Sequence, residues 1–136
     1  MRRCPAVRTD GFEGLKAYTT EDGRIVTFRP DLNGERMENS ARRLEMPVFS
    51  KERFIQAVKE TVKANAAYVP PYGSGATLYI RPYMFGSNPV IGVKPADEYQ
   101  FRVFTTPVGP YFKGGAKRSL SGYVTTTGQL PTAQVM

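Results

Sequence analysis

Apolar and polar residues alternate most regularly between Thr77 and Tyr83. Leu78 and Ile80 fall on one side of an extended chain, and Tyr79 and Arg81 fall on the other. This alternation predicts a half-buried β-strand. Its second side carries a phenol beside a guanidinium, and such a pair can receive an anion because arginine binds carboxylates in bidentate fashion. A surface arginine that lies along a tyrosine gives the same pattern, so the alternation alone leaves both interpretations open.

Three further strands follow from similar patterns. Phe12–Thr19 and Arg24–Arg29 flank Asp22-Gly23, a pair that favours a hairpin because glycine supplies the positive φ of a tight turn. Tyr99–Thr106 alternates as another strand. Segments rich in glycine and proline predict loops between these elements, and they span residues 69–75, 86–89 and 107–115.

Two helices are predicted between the hairpin and the strand at Thr77. The first begins at Pro30-Asp31 and ends by Pro47, and the second is capped by Ser50. Helical spacing assigns these residues to the apolar sides: Leu32, Met37, Ala41 and Leu44 in the first helix, and Phe54, Ile55, Val58 and Val62 in the second. A polar side of the first helix holds Asn33, Arg36, Asn39 and Ser40, and a solvated face is its simplest interpretation. This order of elements predicts an α+β domain with an antiparallel or mixed sheet and two helices.

Length, charge and composition exclude several classes of protein and of catalytic site. The 136 residues match one domain, and their net charge of +7 comes from scattered basic residues that are typical of a solvated surface. No apolar run approaches the roughly 20 residues that span a bilayer, and no hydrophobic segment follows Met1-Arg2-Arg3. With a single cysteine, Cys4, and no histidine, we expect a cytoplasmic protein without a zinc site and without Ser-His or Cys-His catalysis.

Four stretches then coincide with one enzyme family in order and spacing. They are FEGLKAYTTEDGRIVTFRPDLNGERM, SARRLEMP, LYIRPYMFGSNPVIGV and PVGPYFKGG. Over about residues 11–117 the chain resembles the branched-chain amino acid aminotransferases, pyridoxal-phosphate enzymes of fold type IV. LYIRP with PVGPYF is the part most specific to the branched-chain group. We expect an irregular segment at residues 1–11, the small domain of this fold at 12–117 and a tail at 118–136 with no family counterpart.

The resemblance implies a role for several side chains. Arg36 matches the arginine that binds the phosphate of pyridoxal 5'-phosphate, and Tyr79 and Arg81 match residues at the α-carboxylate of the substrate. The implied reaction transfers an amino group between leucine, isoleucine or valine and 2-oxoglutarate, in branched-chain amino-acid biosynthesis.

Further matches concern the pocket walls and the partner subunit. Phe12 and Tyr111 match aromatic walls around an aliphatic substrate side chain. Ile91 and Val93 match a loop that reaches into the pocket of the partner subunit, so the resemblance implies a homodimer.

The resemblance also implies that part of the catalytic machinery lies elsewhere. The Schiff-base lysine of the family lies in a larger second domain, in a Lys-x-Gly-Gly-Asn-Tyr context that these 136 residues do not contain. We therefore expect a small domain that is truncated at both ends and inactive alone. The codons of Thr125–Val135 permit DYDRAAPHGTG in the frame that begins one base earlier, a run that resembles the family just upstream of that lysine. A shifted reading frame and an ordinary variable tail are the two hypotheses for this segment.

Two other functions are the alternatives. One is a D-amino acid aminotransferase or aminodeoxychorismate lyase, against which LYIRP and PVGPYF argue. The other is a basic module that stacks single-stranded nucleic acid on exposed tyrosines and phenylalanines, for which no motif is present. We expect neither a nucleic acid nor a membrane as partner. A small domain with an uncovered sheet edge and apolar surface is expected to be poorly soluble.

Overall fold

The computed structural model describes residues 10–88 and 96–110. Its elements in chain order are β1 (Asp10–Phe12), β2 (Leu15–Thr19), β3 (Ile25–Thr27), α1 (Pro30–Arg43), α2 (Lys51–Ala64), a 3-10 turn (Ala66–Tyr68), β4 (Thr77–Gly86) and β5 (Tyr99–Val108). The α+β class is confirmed, with two helices and a sheet that is antiparallel throughout the described strands. The predictions for Ile91, Val93, Tyr111 and the tail lie outside the described residues.

Strand β4 is the centre of the sheet. It pairs with β5 along its full length on one edge and with β1 and β2 on the other, and β3 pairs with β2. Strands β1 and β2 pair with β4 in the same register, as the pairs of Phe12 with Tyr83 and of Leu15 with Ile80 show. They are therefore two parts of one strand with a short interruption. The interruption lies opposite Pro82, which has no N–H to donate and only accepts from the backbone N–H of residue 13 at 2.9 Å.

One face of the sheet packs against both helices. Leu78 and Ile80 are fully buried there, as the alternation from Thr77 predicts, and Phe54 of α2 is the largest of the fully buried side chains. This layer is the core of the described structure. It consists of Leu15, Ala17, Met37, Ala41, Met46, Phe54, Val58, Val62, Leu78, Ile80 and Met84.

The predicted apolar side of the first helix is partly wrong. Leu32 and Leu44 are 45% and 44% exposed, because the buried side follows Gly34, Met37 and Ala41. Leu44 lies beyond the last helical residue, and the chain then reverses at residue 45, where φ is 54°. This reversal turns Met46 into the core instead, and its N–H donates to the Ala41 carbonyl at 2.9 Å.

Other boundaries differ slightly from the prediction. The side chain of Ser50 caps α2 by accepting from the N–H of Arg53, as expected. Strand β1 already begins at Asp10, and β5 continues through Pro107 and Val108, where a loop was predicted. These extensions have the same cause, because β4 offers a pairing partner at each position. In residues 10–88 and 96–110, no helix is long and apolar enough to cross a membrane.

Candidate functional site

The candidate site lies on the face of the sheet opposite the helices, which we call the open face. Tyr79, Arg81 and Tyr83 alternate along β4 and project to this face, opposite the buried Leu78 and Ile80. Register then brings two more aromatic side chains beside them, Phe12 of β1 and Phe104 of β5. An open groove of about 380 Å³ lies on this face, and it is lined by Asp10, Gly11, Phe12, Arg81, Tyr83 and Phe104.

Arg81 lies between two aromatic rings. Its guanidinium carbon is 4.8 Å from the centre of the Phe12 ring and 5.1 Å from the centre of the Tyr79 ring. Both distances are within the range of a cation–π interaction, which orients the guanidinium. Phe12 is 65% exposed, so this face presents an oriented cation beside apolar surface. That combination suits a molecule with a carboxylate and an aliphatic part.

Tyr79 occupies space that Gly14 leaves open. A Cβ at residue 14 would lie 2.7 Å from the Tyr79 hydroxyl, closer than real Cβ contacts come. The absence of a side chain at Gly14 therefore sets how far the phenol can lean across the sheet. A second groove of about 270 Å³ opens here, and its walls include Lys16, Tyr18 and Asn33 as well as these two residues.

Arg36 is held by Glu13. Arg36 donates from Nε to Oε1 at 2.8 Å and from Nη2 to Oε2 at 2.6 Å, a bidentate pair. The Glu13 carboxylate also accepts from Asn33 Nδ2 at 2.8 Å. These hydrogen bonds and the charge of Glu13 raise the pKa of Arg36 above its usual value. The Arg36 side chain remains 65% exposed, while that of Glu13 is only 5% exposed.

Three consecutive residues thus contact three of the predicted site residues. Phe12 contacts Arg81, Glu13 binds Arg36, and Gly14 accommodates Tyr79. Phe12 is the last paired residue of β1, and Glu13 and Gly14 lie where the ladder to β4 is interrupted. We call residues 12–14 the Phe-Glu-Gly segment.

Sequence reasoning missed Glu13 and Gly14. A signal was present, because Glu13 has the same parity as Leu15 and Ala17 and so falls on the buried face of its strand. A carboxylate on an apolar face requires a partner. The partner belongs to α1, and only the tertiary structure identifies it.

The structure brings together part of the predicted site. Phe12, Tyr79 and Arg81 are neighbours on the open face. Arg36 lies at the adjoining sheet edge, where Asn33 of the same helix donates to the Gly14 carbonyl at 3.3 Å. Among the described residues, no cluster of His, Cys, Asp and Glu side chains could hold a metal ion.

Comparisons with known proteins agree on one family. No family model matches the chain. It is 55% identical over 115 residues to the branched-chain-amino-acid aminotransferase of Haemophilus influenzae, covering 85% of this chain and 33% of the relative. It is 49% identical over 115 residues to the enzyme of that name from Helicobacter pylori, covering 85% of this chain and 34% of the relative.

The fold gives the same result. The crystal structure of the Escherichia coli branched-chain amino acid aminotransferase matches with a TM-score of 0.59 and 26% identity, over 78% of this chain and 33% of that chain. The chain thus spans about a third of the length of the relatives that it matches. Within that third, both the sequence and the fold are similar to those of branched-chain amino acid aminotransferases.

Proposed function

We propose that this chain forms one wall of the substrate and cofactor site of a pyridoxal-phosphate-dependent branched-chain amino acid aminotransferase. The whole protein would exchange amino groups between leucine, isoleucine or valine and 2-oxoglutarate. The observation that carries the proposal is the contact of the Phe-Glu-Gly segment with Arg81, Arg36 and Tyr79. Three side chains that the resemblance assigns to carboxylate and phosphate binding thereby adjoin one short segment at the junction of β1 and β2.

Arg36 suits a phosphate dianion. Arginine carries five N–H donors, and the bidentate pair with Glu13 uses one on Nε and one on Nη2. The guanidinium is largely exposed, so its other donors face outward and are available to phosphate oxygens. When bound, pyridoxal 5'-phosphate supplies an electron sink at its ring and carries the transferred amino group.

Tyr79 and Arg81 would bind and orient the substrate carboxylate. The phenol donates one hydrogen bond and the guanidinium offers a planar fork, and both project from alternate positions of β4. Phe12, and Tyr111 by family resemblance, would form apolar walls for an aliphatic side chain and would exclude water. Ile91 and Val93 would reach the pocket of a partner subunit, which makes the active form a homodimer. A cytoplasmic location completes the proposal.

The 136 residues contain no Lys-x-Gly-Gly-Asn-Tyr sequence, so we expect them to be inactive without the rest of the enzyme. A chimera tests the function directly. Residues 11–110 of this chain replace the corresponding third of the Haemophilus influenzae relative. The chimera should transfer amino groups between leucine and 2-oxoglutarate and should prefer leucine to D-alanine.

Within the chimera, Arg81→Ala should raise the KM for both carboxylate substrates. Arg53→Ala is the matched control, because Arg53 also lies over an aromatic ring, that of Phe49 at 5.0 Å, but belongs to α2. A folded chimera that prefers D-alanine, or one in which both substitutions act alike, would contradict the proposal. Turnover by the isolated 136-residue chain would contradict the expectation that it is inactive alone.

A further inference from the structure

Glu13 is the one buried charged side chain of the described structure, and its position is unusual. It lies in line with Leu15 and Ala17 on the face that the helices cover. An ionised carboxylate in such a place is unfavourable unless donors compensate for the lost water. A hydrophobic residue of similar size would fill the space without that requirement.

The donors come from two successive turns of one helix. Asn33 and Arg36 of α1 donate three hydrogen bonds to Glu13, and the backbone of residue 13 is fixed to Pro82 of β4. Glu13 therefore connects the central strand to α1 through an oriented guanidinium. The bidentate pair fixes the guanidinium plane as well as its position, since both nitrogens on one side of the fork are held.

We propose that Glu13 is a positioning residue, which holds the exposed edge of Arg36 ready for the cofactor phosphate. The inference rests on the proposed function, in which Arg36 binds that phosphate. A free arginine on a helix surface loses rotamer freedom when it binds an anion, and an arginine already held by Glu13 loses less. Glu13 would thus raise affinity for the phosphate although it carries the same sign of charge.

That conflict of signs makes the proposal testable. If Glu13 acts on the phosphate only through its charge, Glu13→Gln removes a repulsion and tightens binding. If Glu13 acts by holding Arg36, Glu13→Gln weakens binding, because an amide accepts fewer of the donors and turns its own NH₂ toward them. The direction of the change separates the two mechanisms.

The measurement is a ³¹P NMR titration of the full 136-residue chain. The probe is pyridoxamine 5'-phosphate, whose amine cannot form a Schiff base with surface lysines, and calorimetry with pyridoxamine gives the affinity without a phosphate. The wild-type chain should prefer the phosphorylated probe, and Arg36→Ala should abolish the preference. Glu13→Gln should weaken binding of the phosphorylated probe by about two- to tenfold, the effect of ordering one long side chain.

The pH dependence of the ³¹P shift gives a second readout that a merely structural role would not move. The second pKa of a phosphate monoester is about 6, and a held guanidinium lowers it in the bound state. In Glu13→Gln this pKa should rise toward the value of the free probe. A purely electrostatic role of Glu13 requires the opposite, since loss of a negative charge favours the dianion.

Controls keep the result interpretable. Glu60→Gln removes an exposed carboxylate of α2 that pairs with Lys63, and it should leave the titration unchanged. Glu13→Asp keeps the charge but withdraws the carboxylate from Arg36, so it should also weaken binding. It replaces Glu13→Gln if that variant does not fold, as judged by circular dichroism and thermal melting.

The outcomes separate the inference from the proposed function. If the wild-type chain does not distinguish the two probes, the role of Arg36 fails and this inference fails with it. A second outcome is that the wild type prefers the phosphorylated probe and Arg36→Ala does not. If Glu13→Gln and Glu13→Asp then bind the phosphorylated probe as tightly as the wild type does, only the positioning role of Glu13 is overturned.

Discussion

Gly14 and Tyr79 show how one missing side chain sets the place of another. Gly14→Ala would put a methyl group 2.7 Å from the Tyr79 hydroxyl, so the phenol must move. Because the hydroxyl is the far end of a rotatable side chain, we expect the free energy of unfolding to fall by less than about 1 kcal/mol. The ring resonances of Tyr79 should nevertheless shift clearly in the NMR spectrum.

Two variants define this effect. Gly109→Ala places its Cβ in open space and should change neither stability nor the Tyr79 resonances. Tyr79→Phe removes the hydroxyl that lies closest to residue 14. In that background, Gly14→Ala should therefore lower the free energy of unfolding by less than it does in the wild type. If Gly14→Ala leaves the Tyr79 resonances in place in the wild-type background, the close approach does not exist in solution.

Single residues also show what the sequence can and cannot predict. Alternation alone puts Tyr79 and Arg81 together on one face, and the structure confirms this. The resemblance adds Phe12, which indeed lies against Arg81. Glu13 and Arg36 belong to different parts of the chain, and the local sequence pattern around either residue does not predict that the other is its partner. Periodicity predicts which face a residue occupies, but not which side chain it meets.

At the scale of elements, Gly34 determines how closely α1 approaches the start of α2. A Cβ at residue 34 would lie 3.0 Å from Cγ and 3.3 Å from Cα of Lys51. In an open helix, Gly→Ala stabilises by about 1 kcal/mol. Here the methyl group would press on backbone, so Gly34→Ala should lower the free energy of unfolding by about 1 kcal/mol net. Urea denaturation measures this change in the free energy of unfolding.

A control on the same helix isolates the contact. Asn39→Ala, at an exposed position of α1, should instead stabilise by about 0.5 kcal/mol through helix propensity. Equal stabilisation by both substitutions would mean that α2 does not press on residue 34.

Glu38 of α1 also holds the start of α2, through its charged carboxylate. Its carboxylate accepts from the backbone N–H of Lys51 at 2.6 Å and from Arg42 Nη2 at 2.9 Å. The Lys51 N–H first, and then Arg42, lower the pKa of Glu38 below its ordinary value of 4.5. A carboxyl whose pKa is lowered on folding stabilises the fold above its unfolded pKa, and the contribution is lost as the pH falls through the folded pKa.

We therefore expect Glu38→Gln to be less stable than wild type at pH 7, with the difference shrinking below about pH 4.5 and vanishing at lower pH. Urea denaturation at several pH values measures this. Glu60→Gln, which removes another carboxylate that accepts from a helix side chain, controls for the loss of one negative charge. A difference from wild type that stays constant from pH 7 to pH 3 would contradict the assignment to ionised Glu38.

The elements themselves were largely predictable, and the exceptions have physical causes. Both helices follow the 3.6-residue period, and β4 follows the period of two. Leu44 was predicted to be buried and is exposed, whereas Met46, for which no role was predicted, is buried, because the chain reverses at residue 45 after the helix has ended. The prediction of one strand over Phe12–Thr19 fits the common register of β1 and β2, but their pairing with β4 was not predictable, since β4 follows both helices in sequence.

At the scale of the whole molecule, the open face presents large apolar side chains to solvent. Phe12 and Phe104 are 65% and 51% exposed on a sheet that also carries Tyr79 and Tyr83. Contiguous apolar patches of this kind mark interaction sites or cause self-association. The isolated chain should therefore associate with rising concentration and bind a hydrophobic dye such as ANS.

Phe104→Thr should reduce both effects without much loss of stability, because threonine suits a strand and the ring is half exposed. Val48→Thr is the control, since Val48 is 46% exposed but lies between the helices. Sedimentation velocity over a range of concentrations measures the association. An equal response to the two substitutions, or none to Phe104→Thr, would show that the open face is not the associating surface.

The single register shared by β1, β2 and β4 has a consequence for the order of folding. The hairpin β2–β3 and the pair α1–α2 can form from neighbouring residues, whereas β1 meets β4 only after the whole intervening chain is closed into a loop. Contacts between Phe12 and Arg81 belong to this last, slowest class. The proposed binding residues would then come together after the helices and the hairpin, and a chain caught before that step would carry native helices without the proposed site.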